Sequence, residues 1–416
     1  MNSKEERIME KIKGGVTAAK GFYAASAAAG IKYEGRTDMA LIYSKKACKA
    51  AGTFTTNVVK AAPVKWDQKV VAGTAPVHVV VINSGIANAC TGAEGMEYCL
   101  ETAKEAAKVF GVPEEGVLIG STGVIGMQIP IERLKAGITL LADSKKKGLE
   151  AGHLAAKAIM TTDTKEKEVA VKFTCADGTE VTIGGMAKGS GMIHPNMCTM
   201  LSYITTDAKI TKKALTKALK EDVKDTYNMI SVDGDTSTND TVLLLANGKA
   251  GNEKIRYGSE DYEKFKEALH YVNETISKKI AGDGEGATAL FEVTVKGAAS
   301  KKQAKVLAKS IVCSNLTKAA IAGHDANWGR ILCAMGYSGA EFDPEKVDLF
   351  FESQAGSLQI IENGTAVDYS EEKATEILSQ PEVKAIADIK MGEHEATAWG
   401  CDLTHGYIDI NADYRS

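Results

Sequence analysis

The chain has 416 residues, 44% hydrophobic and 25% charged, the composition of a globular protein with a sizeable core and room for two or three domains. Its 50 basic and 54 acidic residues leave a formal net charge of −4, and neither sign gathers into a block, which argues against a nucleic-acid stripe or a membrane-binding face and for a small-molecule partner. Eight cysteines without a CxxC pair predict free thiols in a reducing cytoplasm. No apolar run is long enough to span a bilayer, and the amino-terminal stretch lacks the continuous apolar segment of a signal peptide.

In chain order, short β-branched runs bounded by Gly, Pro or Asn predict buried strands at DMALIYS after Asp38, TFTTNVV from Thr53, VHVVVI from Val77 and VLIGS from Val117. Helical spacing marks MEYCLETAKEAAKVF from Met96, with a stop at Gly111-Val112-Pro113, and the long run ERLKAGITLLADSKKKGLEAGHLAAKAIM from Glu132. A further helix is expected between Ile210 and Ile230 with Thr211 as its cap, followed by the loop SVDGDTSTND and the strand TVLLLAN. The remainder predicts a helix from Asp261 to about Ile280, a strand FEVTVKG, a helix through Lys309 and closing strands from about Ala385 to Ala412. With no internal repeat, the fold class is α+β or layered α/β, and periodicity does not choose further.

The segment from Ala187 to Ala208, AKGSGMIHPNMCTMLSYITTDA, concentrates the chemistry. Its first half is rich in turn residues and predicts an irregular connection, whereas TMLSYITTD alternates like a strand with Thr199 at its first position. A threonine at a new amino terminus carries its own base, because an α-amine has a pKa near ~8 and is partly neutral at pH ~7. The amine takes the Oγ proton as the hydroxyl attacks an acyl group. Exposing it requires self-cleavage, in which the same Oγ first attacks the Cys198 carbonyl to give an ester that water hydrolyses. Taken alone, Thr199 also reads as an ordinary strand threonine.

Three other features have bland readings when taken singly. GSTGVIG, from Gly120 to Gly126, is by default a structural turn and lacks the ending of a phosphate-binding loop. Lys188 reads as a solvated lysine and Glu285 as a turn glutamate that the flanking glycines would expose. The seven histidines form no HxxxH or HExxH pair, so no metal is expected.

Resemblance changes these readings. KGSGMIHPNMCTML resembles the cleavage motif of the ornithine acetyltransferase family, also called bifunctional glutamate N-acetyltransferase or amino-acid acetyltransferase. The likeness continues through GFYAASAAAGIK, VVINSGIANACTG, GSTGVIGMQIP, MTTDTKEK, SVDGDTSTNDT, GDGEGATAL, HDANWGRILCAMGYSG and INADYRS, essentially the whole chain. It implies a layered α/β enzyme, similar to the N-terminal nucleophile hydrolases in its processed threonine but with its own topology. The expected cut between Cys198 and Thr199 gives fragments 1–198 and 199–416, which assemble as two first and two second fragments.

The resemblance further implies Thr199 as nucleophile, Thr122 and Gly123 as the oxyanion hole, and Thr162, Lys188, Thr199, Glu285, Asn411 and Ser416 as substrate-binding residues. Ser416 replaces the threonine of many members and keeps the hydroxyl, so an intact terminus should matter. Cys198 stands where the family usually has alanine; its carbonyl can be attacked in the same way, and a cysteine nucleophile there would lack the activating amine. Asp163 and Asp283 are read as structural, and HDANWGR around Trp328 as packing at the fragment interface.

The implied reaction is ping-pong transfer of acetyl from N-acetylornithine to glutamate through acetyl-Thr199, without a bound cofactor. A related variant also takes acetyl-CoA as donor, and nothing in the sequence separates the two. The competing readings are a self-processed amidase or aminopeptidase, in which water replaces glutamate, and a non-catalytic binding protein that shares the fold.

Overall fold

In the computed structural model, whose described residues are 9–194 and 200–412, strands and helices are interspersed along the chain. Strands β1 (Met9–Ile12), β2 (Phe22–Ala27) and β3 (Met39–Phe54) come first, then helix α1 (Ala62–Ala72), β4 (Val77–Asn83), α2 (Gly92–Phe110) and β5 (Val117–Ser121). Helices α3 (Ile131–Ser144) and α4 (Leu149–Ala158) precede β6 (Lys167–Thr174), β7 (Glu180–Lys188), β8 (Leu201–Thr206) and α5 (Lys212–Asp222). The chain continues through β9 (Ile230–Ser231), β10 (Thr241–Ala246), α6 (Glu260–Ala281), β11 (Leu290–Ala298), α7 (Lys301–Cys313), α8 (Asn315–Ala322) and α9 (Trp328–Gly336). Last come β12 (Asp348–Ser353), β13 (Gly356–Glu362), β14 (Thr365–Ala366), α10 (Glu371–Leu378), β15 (Glu382–Asp388), β16 (His394–Cys401) and α11 (His405–Ala412).

The described residues divide into two compact units, 9–189 with 200–224 and 236–276, and 190–194 with 225–235 and 277–412. This division differs from that of the two expected fragments, since residues 200–224 and 236–276 belong with the first unit.

In the first unit the strands follow the order β1-β6-β7-β8-β10-β3-β4-β5, with β2 also paired to β3. The strand expected at DMALIYS continues to Phe54 as β3, whose 16 residues have different partners at each end, while of the strand expected at TFTTNVV only Thr53 and Phe54 are extended in the sheet and residues 55–59 form no strand. Met39 to Tyr43 pair with β2 and β4, Lys49 to Phe54 pair with β10, and a register shift between Tyr43 and Cys48 separates the two regimes. All six residues of β8 are buried, so the polar alternation in LSYITT does not mark a solvent face. Thr205 and Thr206 turn their hydroxyls instead to the carbonyls of Val16 and Thr182, at 2.7 and 2.8 Å.

The core of this unit gathers Leu41, Val79–Ile82 and Leu118 from the sheet with Trp66, Leu134, Ile138 and Leu141 from α1 and α3. Helix α1 also satisfies the edge strand β5. Trp66 Nε1 donates to the Val117 carbonyl at 2.9 Å, and Asp67 Oδ1 accepts the Ile119 N–H at 2.9 Å, which removes two backbone groups from an otherwise open edge.

The local helix signals work where expected. Gly111 ends α2 in the left-handed region at φ 66°, and Thr211 caps α5 by accepting the Ala214 N–H at 3.3 Å. The run from Glu132, expected as one helical pattern, is instead broken into α3 and α4. Lys146 between them exchanges both backbone hydrogen bonds with Ala24 of β2, each at 2.9 Å, and Gly148 turns the chain at φ 101°.

The second unit holds a sheet of order β14-β13-β12-β15-β11-β16-β9. Helix α7 packs Leu307, Ile311 and Val312 into its core with Phe291, Val293, Val295 and Ala398 of β11 and β16. The closing strands expected to Ala412 stop at Cys401, and α11 follows. Asp402 ends the strand by accepting the N–H groups of Thr288 and Ala289 at 2.8 and 3.0 Å and the Thr288 hydroxyl at 2.6 Å. HDANWGR forms the turn from α8 into α9, with His324 at φ 53° and Asn327 Nδ2 donating to Asp325 at 3.0 Å. Among the described residues no helix is long and apolar enough to cross a membrane, and Cys48, Cys90, Cys99, Cys175, Cys313, Cys333 and Cys401 are free.

Candidate active site

The turn after β5 is built to present Thr122 and Gly123. Ser121 closes the strand with its hydroxyl, which donates to the Ile86 carbonyl and accepts the Asn88 N–H, both at 3.0 Å, while Asn239 Nδ2 donates to the Ser121 carbonyl at 2.8 Å. Thr122 N–H then donates to Asn83 at 3.0 Å and Val124 N–H to Gly85 at 3.1 Å. Gly123 lies between these two bonds, at φ 129°, and a Cβ there would fall 2.3 Å from the Gly85 carbonyl carbon. Only glycine fits that backbone. Its N–H has no acceptor among the described residues.

Lys188 ends β7, paired in register with Leu201 at the start of β8. It is buried at 8% exposure, not solvated. Its ammonium donates to Thr161 Oγ1 at 2.7 Å and Thr122 Oγ1 at 3.4 Å, and lies 3.9 Å from Asp163 Oδ2. The lysine thus ties the Thr122–Gly123 turn to the TTD turn, through Thr161. Half-buried Thr162 is the next residue of the same turn.

Asp163, read from sequence as structural, is the hub of that turn. Its carboxylate accepts from Lys167 Nζ at 2.7 Å, from the Gly189 N–H at 2.6 Å and from the Thr161 N–H at 3.1 Å. Burial alone would raise its pKa, but the Lys188 and Lys167 charges and these hydrogen bonds hold it down to about 2. The sequence signal was the acid-to-lysine spacing of four in DTKEK, which on its own also describes a solvated pair.

In the second unit the structure brings Glu285 and Asn411 together: Asn411 Nδ2 donates to Glu285 Oε2 at 2.8 Å. Glu285 is only 7% exposed, against the expectation that its glycine neighbours would leave it open. The space it fills is made by Gly191, where a Cβ would sit 2.3 Å from the Glu285 carboxyl carbon. The Glu285 N–H donates to Ser190 at 2.9 Å, which fixes the loop against the GSG run. Asp283 is buried nearby in sequence. Cys198, Thr199 and Ser416 lie outside the described residues; the described chain resumes at Met200, whose carbonyl accepts the Thr241 N–H at 2.8 Å.

Comparison with known proteins gives a consistent result. The family model described as the ArgJ family matches residues 23–416. The arginine biosynthesis bifunctional protein ArgJ of Thermotoga neapolitana is 51% identical over 383 residues, 92% of this chain and 95% of that protein. ArgJ 1 of Clostridium acetobutylicum is 53% identical over 395 residues, covering 95% and 96% of the two chains. A solved structure of arginine biosynthesis bifunctional protein argJ from Bacillus halodurans is 46% identical, with a TM-score of 0.49 over 51% of this chain and 99% of its own.

Proposed function

The chain belongs to the ArgJ family of bifunctional acetyltransferases of arginine biosynthesis, and from that premise we infer that it cuts itself between Cys198 and Thr199 and carries acetyl groups on the freed Thr199. Acetyl passes from N-acetylornithine to Thr199 Oγ, ornithine leaves, and the amine of glutamate collects the acetyl group. The chemistry needs no bound cofactor. Acetyl-CoA is a second donor if the enzyme makes N-acetylglutamate afresh as well as recycling it.

The observation that carries this reading is the Thr122–Gly123 turn joined to Lys188. Thr122 Oγ1 accepts from Lys188, which leaves its own proton to be donated, and the Gly123 N–H supplies the second donor for a tetrahedral oxyanion. Lys188 stands opposite Leu201, and Thr199 precedes Leu201 by two residues of sequence, at most about 7 Å of chain. Thr162 and Lys188 supply donors for the substrate carboxylate, Glu285 and Asn411 recognise its amine, and Ser416 completes the set with a hydroxyl. The processed fragments associate as two first and two second fragments, in the reducing cytoplasm that suits the free thiols.

The test is chemical. Purified protein should contain a fragment beginning at Thr199, and incubation with N-acetylornithine alone should add one acetyl group to it. Glutamate should then discharge that group as N-acetylglutamate, and acetyl-CoA offered in place of N-acetylornithine decides the second donor. An uncut chain with full activity, or a Thr199→Ala variant that still transfers acetyl, would overturn the reading. Release of mostly free acetate in the presence of glutamate would identify an amidase instead.

A further inference from the structure

Asp240 is a buried carboxyl group that the chemistry above leaves unused. It closes the loop SVDGDTSTND, stands immediately before β10 and is 1% exposed. Its neighbour Thr241 donates a backbone N–H to the Met200 carbonyl at 2.8 Å, and the N–H of Met200 faces the Asp240 carboxyl as a donor. The two residues therefore hold both backbone groups of the residue that follows Thr199. The hydroxyls of Ser237 and Thr55 also donate toward this carboxyl, and the charged group facing it is Lys188.

Despite these neighbours, Asp240 Oδ2 has no hydrogen-bond partner among the described residues. A buried carboxyl oxygen left in this way is destabilising and calls for an explanation. Burial, only partly offset by the donors and by Lys188, pushes the pKa of the group well above the ordinary carboxylate range. A cation arriving beside it would favour the charged carboxylate and partner the unpaired oxygen.

Cutting the 198–199 bond creates such a cation. Three covalent bonds separate the nitrogen of residue 199 from that of Met200, which keeps the two within about 4 Å whatever the intervening rotation. The carboxyl that faces the Met200 N–H is thus within reach of the new α-amino group. We propose that Asp240 is the positioning residue of the freed amine, its carboxylate orienting the Thr199 α-amino group and stabilising the ammonium that forms during acyl transfer. The proposal rests on Thr199 as nucleophile and deepens that reading.

The step balances without further reagents. The Thr199 Oγ proton passes to the α-amine as the Oγ–C bond to the acetyl carbon forms. When the tetrahedral intermediate collapses, the C–N bond of the donor breaks and the ammonium returns the proton to the departing ornithine amine. Asp240 remains ionised throughout and acts on the base, in the role of the third member of a nucleophile–base–orienter set.

The experiment compares the full chain with Asp240→Asn and Asp240→Glu, following processing by intact mass and kcat and KM for N-acetylornithine across pH. Asp240→Asn should lower kcat about 10- to 100-fold with little change in KM, and move the acid limb of the kcat profile down by about one pH unit, because the amine loses the anion that favours its charged form. Asp240→Glu should return both toward wild type. Because Asp240→Asn can fail to fold or to be cut, the Thr199 amine of the wild-type enzyme is also titrated directly, from the pH dependence of its reductive methylation with 13C-formaldehyde. It should titrate above the ordinary α-amine value of about 8. A cut, active enzyme whose amine titrates at or below that value, or a cut Asp240→Asn enzyme with wild-type kcat and an unmoved limb, overturns the role of Asp240 alone. Absence of a Thr199 amino terminus in active wild-type protein overturns the nucleophile reading beneath it.

Discussion

The ammonium of Lys188 donates a 2.7 Å hydrogen bond to the hydroxyl of Thr161, and this bond joins the end of β7 to the turn that carries Asp163. Replacing Lys188 with Met should remove a charged donor from both threonine turns. Hydrogen bonds to charged groups are worth about 1.5–3 kcal/mol, so kcat/KM for N-acetylornithine should fall roughly 10- to 100-fold, measured by steady-state transfer to glutamate. Thr161→Ala, which leaves the lysine in place, should cost less.

Asp163 makes the first unit sensitive to acid. Its pKa is held at about 2 against an ordinary value of 3.8, so its ionised form contributes stability that is fully present above pH ~4 and is lost as pH falls through ~2. The shift corresponds to about 2 kcal/mol. Urea midpoints of the wild-type chain should therefore drop between pH ~4 and ~2, and the drop should shrink in Asp163→Asn. That variant should also be about 3–5 kcal/mol less stable at neutral pH, since it strips the carboxylate from Lys167, 1% exposed.

Gly123→Ala should damage both fold and rate. At φ 129° with a Cβ 2.3 Å from the Gly85 backbone, alanine forces the turn to move. Loss of one oxyanion donor costs about 100- to 1,000-fold in kcat, and the strain about 1–3 kcal/mol. Thermal melting and acetyl-transfer kinetics on the same sample separate the two. Thr122→Ala should lower kcat with a smaller change in melting temperature.

The Glu285–Asn411 pair predicts a substrate effect. Glu285→Gln keeps the shape but removes the negative charge, and should raise KM for N-acetylornithine about 10-fold or more with a milder effect on kcat. Asn411→Ala removes the 2.8 Å bond that orients the carboxylate and should produce a weaker effect of the same sign. Gly191→Ala should resemble Glu285→Gln, because its Cβ takes the space of the carboxylate. Varying each substrate against the other distinguishes these outcomes.

What the sequence disclosed depended on how local the cause was. Gly111 stops α2 and Thr211 caps α5 through groups within four residues, and both were legible. The break between α3 and α4 was not, because it follows from Lys146 pairing with Ala24, more than a hundred residues away. The same holds for the site. The glycines of GSTGVIG marked Thr122 and Gly123 as a turn, and only the resemblance gave that turn a role, whereas the burial of Glu285 depends on Gly191 and Asn411, and the importance of Asp163 on Lys188 and Gly189, which only the folded chain brings near. The alternation of β8 was legible as a strand, but the burial of both its faces was not, because its threonines bond to backbone carbonyls of other segments.

The position of β8 and β10 in the first sheet, hydrogen-bonded on one side to β7 and on the other to β3, has a bearing on the life history of the enzyme. With the proposed cut between residues 198 and 199, both inner strands would belong to the second fragment and both outer ones to the first, so scission would leave the halves interleaved and not merely adjacent. They can part only if the sheet comes undone. The intact chain assembles in a unimolecular process, but separated halves would have to find each other first, with a yield that depends on concentration. The uncut precursor is thus the form that can learn its fold, and the two-piece enzyme is a form that can only keep it.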